Sequence, residues 1–470
     1  MKLLLSFLLL LGWVLHGHAA GRPNLLFVFA DDMTYDAVRA LGDEGIETPH
    51  LDLLVESGTT FSHAYNSGAW GGAVCIASRT MLITGRQLWN ARAFDNRDKI
   101  KSEFVAPGRT WPQLLAKAGY RTFLTGKWHV KAAPEEVFDV VRHVRPGMPK
   151  SVKHAYNRPL AGEQDPWDPA DRSLGGFWEG GTHWSAVQAD DAVGFVREAS
   201  RDEEPFFIYL AFNAPHDPRQ SPQRFLDQYP LEEVAVPPSF LPAYPYREAM
   251  GCPHALRDEK LAPMPRTRHA VRVHRREDYA LVSHLDAQIG RVLDALEASG
   301  EADNTYVVFT ADHGLAVGKH GLLGKQSMYD HSVRVPFVVK GPGIAAGRTI
   351  AAPIYLQDVI PTTLDWAGVA TPDTVEFESL TPHLEGKGSS RDFVYTAYRD
   401  RQRAITSGGY KLIVYPEAKR ARLYHLAEDP DELVDLLEKG KGKGVAKRLY
   451  ARLRAVQPEF GDTLELELEL

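Results

Sequence analysis

Four short apolar runs recur along the chain, and each one leads into residues that can carry charge. Runs of this kind are typical of strands that are buried on both faces of a sheet. Open α/β sheets bind their ligands at the carboxyl ends of the strands. The pattern therefore predicts a site built at one edge of a sheet. The runs and the residues after them are 24–30 with Asp31 and Asp32, 122–125 with Lys127 and His129, 206–212 with His216, and 305–310 with Asp312 and His313.

Amphipathic segments between these runs predict helices, as the alternation of an α/β domain requires. Thr110 can cap a helix that ends near Gly119, and residues 277–299 carry leucines on one face before Gly300. Both segments are interpreted as packing elements. Residues 134–181 are rich in Pro, Gly and Trp and have weak periodicity. They predict long loops around the mouth of the site, where substrate specificity would lie.

The pattern changes towards the carboxyl end of the chain. Short alternating pieces such as 410–415 predict an antiparallel sheet, and a last helix is predicted near 446–456. A chain of 470 residues is also long for one ordinary domain. We therefore expect an α/β catalytic domain over residues 21–375, with a large mixed, mainly parallel sheet between helices. A smaller α+β domain with an antiparallel sheet should follow over residues 376–470.

The first twenty residues have the pattern of a secretory signal peptide. Lys2 precedes the apolar run 3–15, and small residues follow at 17–20. This run is shorter than a membrane-spanning helix, and no later stretch is long and apolar enough to span a bilayer. We therefore expect residues 1–20 to direct export to the periplasm or the extracellular space. The net charge of −7 gives no general attraction for nucleic acid, so no nucleic-acid partner is expected.

Cys75 lies in an unusual setting. It follows the small residues 71–73 and opens an amphipathic segment that ends at Gly85, which places it at the start of a predicted helix. Unpaired N–H groups there suit sulfate or phosphate, and Arg79 adds a guanidinium one turn further on. A buried structural cysteine is the alternative. Counting alone suggests a disulfide with Cys252, which would be left free if Cys75 is catalytic.

Two pairs of adjacent residues, Asp31 with Asp32 and Asp312 with His313, follow separate strands. Neighbouring carboxylates repel each other unless a cation or a proton lies between them. Helix capping is an alternative explanation for either pair taken alone. Ligands that are mostly oxygen favour Ca²⁺ or Mg²⁺. The residues themselves thus indicate a metal-assisted anion site.

The segment Cys75-Ile76-Ala77-Ser78-Arg79 resembles the Cys-x-Pro-Ser-Arg signature of the type I sulfatases, with Ala77 in place of the commoner Pro. Residues 321–336 and 423–432 also resemble segments of these enzymes, so the similarity covers nearly the whole chain after residue 20. It implies an alkaline-phosphatase-like sandwich fold and the hydrolysis of sulfate esters, with a sulfated carbohydrate as the expected substrate. It further implies that a maturation enzyme converts Cys75 to formylglycine.

The resemblance also implies a role for each site residue. One divalent cation, expected to be Ca²⁺ with Mg²⁺ or Mn²⁺ as alternatives, would be held by Asp31, Asp32, Asp312, His313 and the modified Cys75. Many members carry Asn at the position of His313. The catalytic and sulfate-binding residues would be Cys75, Arg79, Lys127, His129, His216 and Lys325. His216 would protonate the leaving alcohol, with Lys325 as an alternative donor, and His129 would assist the release of sulfate.

Other functions fit the same residues. A phosphomonoester or phosphonate-ester hydrolase of the same superfamily could use the same charges. A catalytically silent, Ca²⁺-dependent glycan-binding protein is a third hypothesis, because maturation enzymes differ in whether they accept Ala77 in place of Pro. The basic stretch 254–276 could attract a sulfated glycan or could be a solvated insertion.

Overall fold

The computed structural model describes residues 22–470, so the predicted signal peptide lies outside the described residues. The strands of this part of the chain are β1 (Asn24–Ala30), β2 (Thr59–Phe61), β3 (Ala64–Tyr65), β4 (Gly68–Ala69), β5 (Arg121–Lys127), β6 (Val140–Arg145), β7 (Phe206–Ala211), β8 (Thr305–Ala311), β9 (Arg334–Val335), β10 (Phe337–Lys340), β11 (Arg348–Ile350), β12 (Ile354–Tyr355), β13 (Val394–Tyr398), β14 (Gln402–Ser407), β15 (Tyr410–Tyr415) and β16 (Arg420–His425). Its α-helices are α1 (Pro49–Ser57), α2 (Val74–Thr84), α3 (Leu88–Ala91), α4 (Arg97–Ile100), α5 (Trp111–Lys117), α6 (Trp184–Ala199), α7 (Gln223–Leu226), α8 (Arg268–Ser299), α9 (Asp330–Val333), α10 (Val359–Trp366), α11 (Thr381–Leu384) and α12 (Lys443–Val456).

The four apolar runs form the centre of the large sheet. Among the described residues this sheet has eight strands in the order β11-β2-β10-β8-β1-β7-β5-β6. Strands β8, β1, β7 and β5 are parallel neighbours, and Phe29 pairs with both Ala211 and Thr310. Their carboxyl ends therefore meet at one edge. Strand β10 runs antiparallel to β8, which confirms the predicted mixed, mainly parallel sheet.

Helices cover both faces of this sheet. Neighbouring residues in register point to the same face, so Phe27 and Tyr209 lie on one face while Phe123 and Ile208 lie on the other. Trp111 of α5 packs 5.1 Å from Phe27, measured between ring centroids, and Phe195 of α6 packs 5.0 Å from Phe123. Strands with apolar side chains on both faces are thus buried between two layers, as their composition predicts.

A bulge near the end of strand β5 directs its last residue towards the site. The pairing register shifts between Thr125 and Gly126. Gly126 has a φ of +96°, and a Cβ there would lie 1.9 Å from the carbonyl oxygen of Ala211. Only glycine accepts both the backbone conformation and the close approach. The bulge brings Lys127 to the carboxyl edge of the sheet.

The prediction of long loops over residues 134–181 is wrong in part. Within this segment, β6 extends the large sheet as its edge strand, parallel to β5. An edge strand has only one neighbour and stays partly exposed, so Arg142 and His143 interrupt the apolar pattern that would reveal it. The residues that follow β6 do lie at the mouth of the site, as described below.

The smaller sheet confirms the antiparallel prediction for the end of the chain and adds one strand to it. Strands β13 to β16 are antiparallel neighbours, and the sheet order is β16-β15-β14-β13-β4. The added strand β4 comes from the segment just before Cys75 and pairs in parallel with β13. A third sheet joins β12, β3 and β9. None of the helices between residues 22 and 470 has the length and apolar character needed to cross a bilayer.

Substituting Gly68 with Ala should destabilise the protein strongly, because a Cβ at this position would lie 1.9 Å from the carbonyl oxygen of Ala397. Overpacking and the positive φ of +106° together predict a loss on the order of 2–5 kcal/mol in the free energy of unfolding. Urea denaturation of Gly68→Ala measures this loss. Gly71→Ala is the matched control, since a Cβ at Gly71 would have nothing within 4 Å. Equal stability of the two variants would show that the β4 pairing contributes little.

Candidate active site

The carboxyl edge of the large sheet gathers all of the predicted site residues. Asp31 and Asp32 follow β1, and Asp312 and His313 follow β8. Cys75 is the second residue of α2, as predicted from the small residues before it and the amphipathic segment that ends at Gly85. The other site residues come from the end of β5, the turn after β7 and a loop before α9, and they are Lys127, His129, His216 and Lys325, with Arg79 one turn along α2.

Backbone hydrogen bonds fix the strand ends to one another. The amide of Asp312 donates to the carbonyl oxygen of Ala30 at 3.2 Å, and the amide of Asp31 donates to that of Ala214 at 3.1 Å. The amide of Asp32 donates to Oδ1 of Asp312 at 3.1 Å. The two acidic pairs are therefore held together by the same contacts that continue the sheet.

Five potential metal ligands form one compact group. Ligand atoms of Asp31, Asp32, Cys75, Asp312 and His313 all lie within 4.8 Å of one another, and all five side chains are buried. Burial raises the pKa of Asp31 well above its ordinary value, and the neighbouring Asp312 raises it further. Bringing acids this close in a buried site is costly, because their charges repel and neither is solvated by water.

The orientation of two ligand atoms fits a cation. His313 uses Nδ1 to donate to the carbonyl oxygen of Gly314 at 3.0 Å, so Nε2 faces the group, 3.2 Å from Sγ of Cys75. Metal-binding histidines are commonly held in this way by their second nitrogen. Oδ1 of Asp31 is buried and accepts no hydrogen bond from the described residues. The ligand set, three carboxylates with one imidazole and one sulfur, could hold a divalent cation.

Three basic side chains surround the acids. Lys127 Nζ donates to Oδ2 of Asp31 at 2.5 Å, and Lys325 Nζ donates to both oxygens of Asp32 at 2.7 and 2.8 Å. Arg79 donates from Nε to Asp312 at 3.1 Å and from Nη1 to the carbonyl oxygen of Lys127 at 2.8 Å. All three bases are buried. Each is thus fixed by a specific acid and offers its remaining N–H groups in a set direction.

Three basic groups act on the Cys75 sulfur, which also lies next to the buried carboxylates. Burial alone would raise the pKa of the Cys75 thiol, but Lys127, Lys325 and His313 together lower it well below its ordinary value. Lys325 Nζ is 3.5 Å from Sγ. This is the environment that favours an anion at the position of the sulfur.

Two histidines, His129 and His216, line the same cavity. His216 donates from Nδ1 to the carbonyl oxygen of Asp217 at 2.7 Å, and its Nε2 lies 3.0 Å from Nζ of Lys325. Burial would lower the pKa of His216, but Asp32 raises it to about 10. For His129, burial lowers the pKa, and the nearby Lys127 lowers it further while Cys75 opposes the shift. Gly147 allows the His129 ring to pack closely, since a Cβ at Gly147 would lie 2.4 Å from that ring.

A cleft of about 470 Å³ opens above Cys75. Small and apolar residues dominate its walls away from the charged floor, including Ala73, Pro146, Met148 and Leu256. Pro146 and Met148 belong to the segment 134–181 that is predicted to surround the mouth. The charged floor and the apolar walls together suit an anionic group carried on a larger organic molecule.

The disulfide suggested by counting is wrong. Cys75 and Cys252 both lie within the described residues, and both are free and buried. Sγ of Cys252 instead donates to the carbonyl oxygen of Gln326 at 3.0 Å, next to Lys325. Burial raises the pKa of the Cys252 thiol well above its ordinary value, and the nearby Glu259 adds to the effect. Cys252 is therefore a packing residue for the loop that carries Lys325.

A partly buried network beside His216 was not predicted from the sequence. Arg257 forms ion pairs with both Asp217 and Asp258. Gln326 donates from Nε2 to Asp258 at 2.7 Å and accepts from the amide of Lys325 at 3.1 Å. The network supports the segments that carry His216 and Lys325. In the sequence, Arg257 is one of many basic residues in the stretch 254–276, which could also be a solvated insertion. The sequence therefore did not reveal its ion pairs.

The comparisons with known proteins agree with this arrangement. A family model described as Sulfatase matches residues 23–369, and a model described as N-sulphoglucosamine sulphohydrolase, C-terminal, matches residues 318–459. The N-acetylglucosamine-6-O-sulfatase of Bacteroides thetaiotaomicron is 27% identical over 515 residues, covering 94% of this chain and 87% of the relative.

Solved structures extend the similarity to the fold. The structure of a similar protein in complex with its substrate D-glucosamine-2-N,6-O-disulfate superposes on this chain with a TM-score of 0.70 and 25% identity. The match covers 94% of this chain and 99% of that protein. The phosphonate monoester hydrolase of Agrobacterium radiobacter superposes with a TM-score of 0.70 at 20% identity, covering 93% and 96%, and shows the fold alone. The predicted alkaline-phosphatase-like fold is confirmed.

Adding a divalent cation should stabilise the protein, because a cation among Asp31, Asp32 and Asp312 removes their repulsion. A ligand at 100 times its dissociation constant stabilises the native state by about 2.7 kcal/mol. We expect Ca²⁺ to raise the melting temperature of chelator-treated protein, and Mg²⁺ and Mn²⁺ can be compared in the same assay. The rise should be smaller in Asp312→Asn than in Asp303→Asn, an exposed control beside the opposite end of β8. Identical melting curves with Ca²⁺ and with chelator would contradict the cation site.

Proposed function

The chain belongs to the sulfatase family of sulfuric ester hydrolases, and from this premise we propose that it cleaves sulfate esters of a carbohydrate. The observation that carries the proposal is the buried group of five potential metal ligands that includes Cys75, with Arg79, Lys127 and Lys325 ion-paired to its carboxylates. A sulfated sugar as substrate is supported by the N-acetylglucosamine-6-O-sulfatase relative and by the disulfated glucosamine bound in the similar structure.

Two groups that the family implies fit the residues at this site. One divalent cation would be held by Asp31, Asp32, Asp312 and His313 with the modified Cys75, and it would withdraw charge from the sulfate oxygens. The predominance of oxygen ligands favours Ca²⁺, while the imidazole leaves Mg²⁺ or Mn²⁺ as alternatives. Formylglycine, made from Cys75 by a maturation enzyme, would supply two hydroxyls on one carbon once hydrated.

The three basic residues bind the sulfate group. Lys127 and Arg79 are fixed to Asp31 and Asp312, and Lys325 is fixed to Asp32. Because these contacts hold the bases before substrate arrives, little reorganisation is needed as charge develops on the sulfate oxygens. Their positions around Cys75 direct the sulfur of the substrate towards the group at that residue.

Two histidines handle the protons on opposite sides of the reaction. His216 lies on the cleft side next to Lys325, where the departing sugar oxygen would sit, and it donates a proton to that oxygen. Lys325 is the alternative donor. His129 lines the cleft beside Cys75 and would accept a proton from the hydroxyl at residue 75. The loss of that proton would drive the release of sulfate. The apolar walls of the cleft exclude water from the reacting groups.

The two alternative functions lead to different measurements. The same bases would bind a phosphate or phosphonate ester, and the phosphonate monoester hydrolase shares the fold with this chain. A silent glycan-binding protein would keep the cation but carry an unmodified Cys75. Comparing the cleavage of sulfate and phosphate esters separates the phosphate or phosphonate hydrolase from the sulfatase function. The mass of the peptide that contains Cys75 separates the silent glycan-binding protein from it.

Three other features of the chain remain predictions. We propose that residues 1–20 direct export to the periplasm or the extracellular space, because that segment has the apolar pattern of a signal peptide. The division at residues 375 and 376 is supported by the change from the large sheet to the small one. A maturation enzyme is the expected protein partner, because formylglycine requires one.

Enzyme produced together with a maturation enzyme should release sulfate from a panel that includes N-acetylglucosamine 6-sulfate, heparin, chondroitin sulfate, carrageenan and ulvan oligosaccharides. It should also cleave 4-nitrophenyl sulfate faster than 4-nitrophenyl phosphate. Ion chromatography of free sulfate measures the first activity, and absorbance measures the second. Faster cleavage of the phosphate would favour the phosphatase alternative. Cleavage of the aryl sulfate without sulfate release from any sugar would contradict the carbohydrate substrate.

The modification of Cys75 has its own control. In an active preparation, the tryptic peptide that ends at Arg79 should have the mass of an aldehyde in place of the thiol. Cys75→Ala should abolish turnover while the melting temperature stays close to that of the unsubstituted protein. An active enzyme whose peptide always carries the thiol would refute the formylglycine mechanism.

Replacing His216 with Ala should slow sugar sulfates far more than activated aryl sulfates. A sugar alkoxide needs a proton to leave and a nitrophenolate does not, and general acid catalysis is typically worth about 10²–10⁴-fold. His129→Ala should slow both substrates, because the release of sulfate is common to them. The ratio of kcat on the two substrates is the measurement. Equal losses for His216→Ala would assign it to sulfate binding, and the acid role would pass to Lys325.

A further inference from the structure

A second cavity, of about 500 Å³, lies where the small sheet meets the segment before Cys75. We call it the tryptophan groove. Its walls include the indoles of Trp70 and Trp89 and the side chains of Arg92 and Arg399. Both tryptophans are half-buried and both arginines are exposed. None of these residues belongs to the site described above.

The pairing of β4 with β13 creates the groove. These strands are parallel, with Tyr398 opposite Ala69, so the next residues of each strand, Trp70 and Arg399, leave the sheet side by side. The amide of Arg399 donates to the carbonyl oxygen of Ala69 at 2.8 Å, which extends the pairing to this position. A strand from each part of the chain thus contributes one wall residue.

The two indoles are held in fixed orientations. Trp70 donates from Nε1 to Oδ2 of Asp95 at 3.1 Å, and Trp89 donates from Nε1 to the hydroxyl of Tyr395 at 2.9 Å. The guanidinium of Arg403 lies over the Trp89 ring at 4.8 Å. Rigid aromatic side chains offer an apolar surface with little loss of conformational entropy when a ligand binds.

The charges of the groove leave two arginines available. Arg403 forms an ion pair with Asp462, and Asp400 forms one with Arg401. Among the described residues, Arg92 and Arg399 form no ion pair, and Glu465 is the unpaired acid of the same lining. A guanidinium is well suited to bind a sulfate or carboxylate through two N–H groups. The groove therefore combines aromatic surface with anion-binding side chains.

The groove and the catalytic cleft share one loop. Trp70 lines the groove, while Gly72 and Ala73 line the cleft. The Cα atoms of Trp70 and Ala73 can be no more than about 11 Å apart, because they are three residues apart in the chain. The hydroxyl of Tyr398, the residue before Arg399, lies 4.0 Å from the position of a Cβ on Gly72. One extended ligand can reach both cavities across this loop.

We propose that the tryptophan groove binds a neighbouring residue of the same sulfated carbohydrate chain whose sulfate is cleaved in the cleft. This inference rests on the proposed function. It specifies the substrate as an oligosaccharide rather than a monosaccharide. The apolar face of a sugar ring packs on Trp70 or Trp89, and Arg92 and Arg399 bind its anionic substituent.

The test compares sulfate release from two substrates that differ only in length. They are hexasaccharides of whichever polysaccharide in the panel the enzyme desulfates, and the matching sulfated monosaccharide. We expect Trp70→Ala and Arg399→Gln each to lower kcat/KM on the hexasaccharide by about tenfold or more, mainly through KM. Their kcat/KM on the monosaccharide should stay within about twofold of the unsubstituted enzyme. Trp70→Phe should restore most of the lost hexasaccharide activity, because it keeps an aromatic face.

Two controls separate binding from folding. Arg420→Gln removes the same charge from β16, at the opposite edge of the small sheet, and should leave both substrates unaffected. The melting temperature and the turnover of 4-nitrophenyl sulfate report on the integrity of each variant. Equal losses on hexasaccharide and monosaccharide would overturn the proposal, because Trp70 and Arg399 would then only support the catalytic loop.

The remaining outcomes distinguish the two levels of inference. If the variants lose nothing on either substrate, or if the enzyme desulfates only monosaccharides, the groove proposal fails and the carbohydrate sulfatase function stands. If the unsubstituted enzyme cleaves 4-nitrophenyl sulfate but no sugar sulfate, the proposed function itself fails and the groove proposal fails with it.

Discussion

The burial of three carboxylates beside a sulfur is the constraint on which the site depends. One ligand atom each of Asp31, Asp32, Asp312, Cys75 and His313 lies within 4.8 Å of the others, and all five side chains are buried. Charges buried this closely are tolerated only when each is matched by a partner of opposite sign. Each carboxylate has at least one basic partner: Lys127 for Asp31, Lys325 for Asp32 and Arg79 for Asp312. Those partners are the same groups that we propose to bind sulfate, so the ion pairs that stabilise the buried acids would also provide the affinity for an anion.

The parallel sheet brings the buried acids together through its own strand ends and backbone hydrogen bonds. Each acid follows a central strand whose residues are buried on both faces, so the sheet fixes the position of the backbone that carries the charge. Amides at the strand ends donate to carbonyl and carboxylate oxygens of their neighbours. Residues that must lie within a few ångströms of one another are thus positioned by hydrogen bonds of the sheet. The segments after β5 and β7 then supply His129 and His216, which line the cleft on its open side.

Much of this arrangement could be predicted because its signals are local. A continuous apolar run identifies β1, and the two acids after it identify the edge where they lie. The features that escaped prediction are set by distant contacts. Strand β6 has one neighbour and a mixed pattern, and β4 has two residues, too few for any periodicity. The pairing of Arg257 with Asp217 joins segments forty residues apart. The wrong disulfide prediction counted two cysteines without knowing how far apart they lie in the fold. The tryptophan groove depends on the β4 pairing and was hidden for the same reason.

The pairing of β4 with β13 also sets an order of events during folding. Gly68 pairs with Ala397, so this contact closes a loop of about 330 residues and can form only after most of the chain has been synthesised. Until then, the segment that leads into α2 lacks one of the elements that hold it. Cys75 is only 2% exposed in the complete fold. The proposed maturation enzyme would therefore have to act before folding is complete, and the window for the modification would close when β13 pairs with β4.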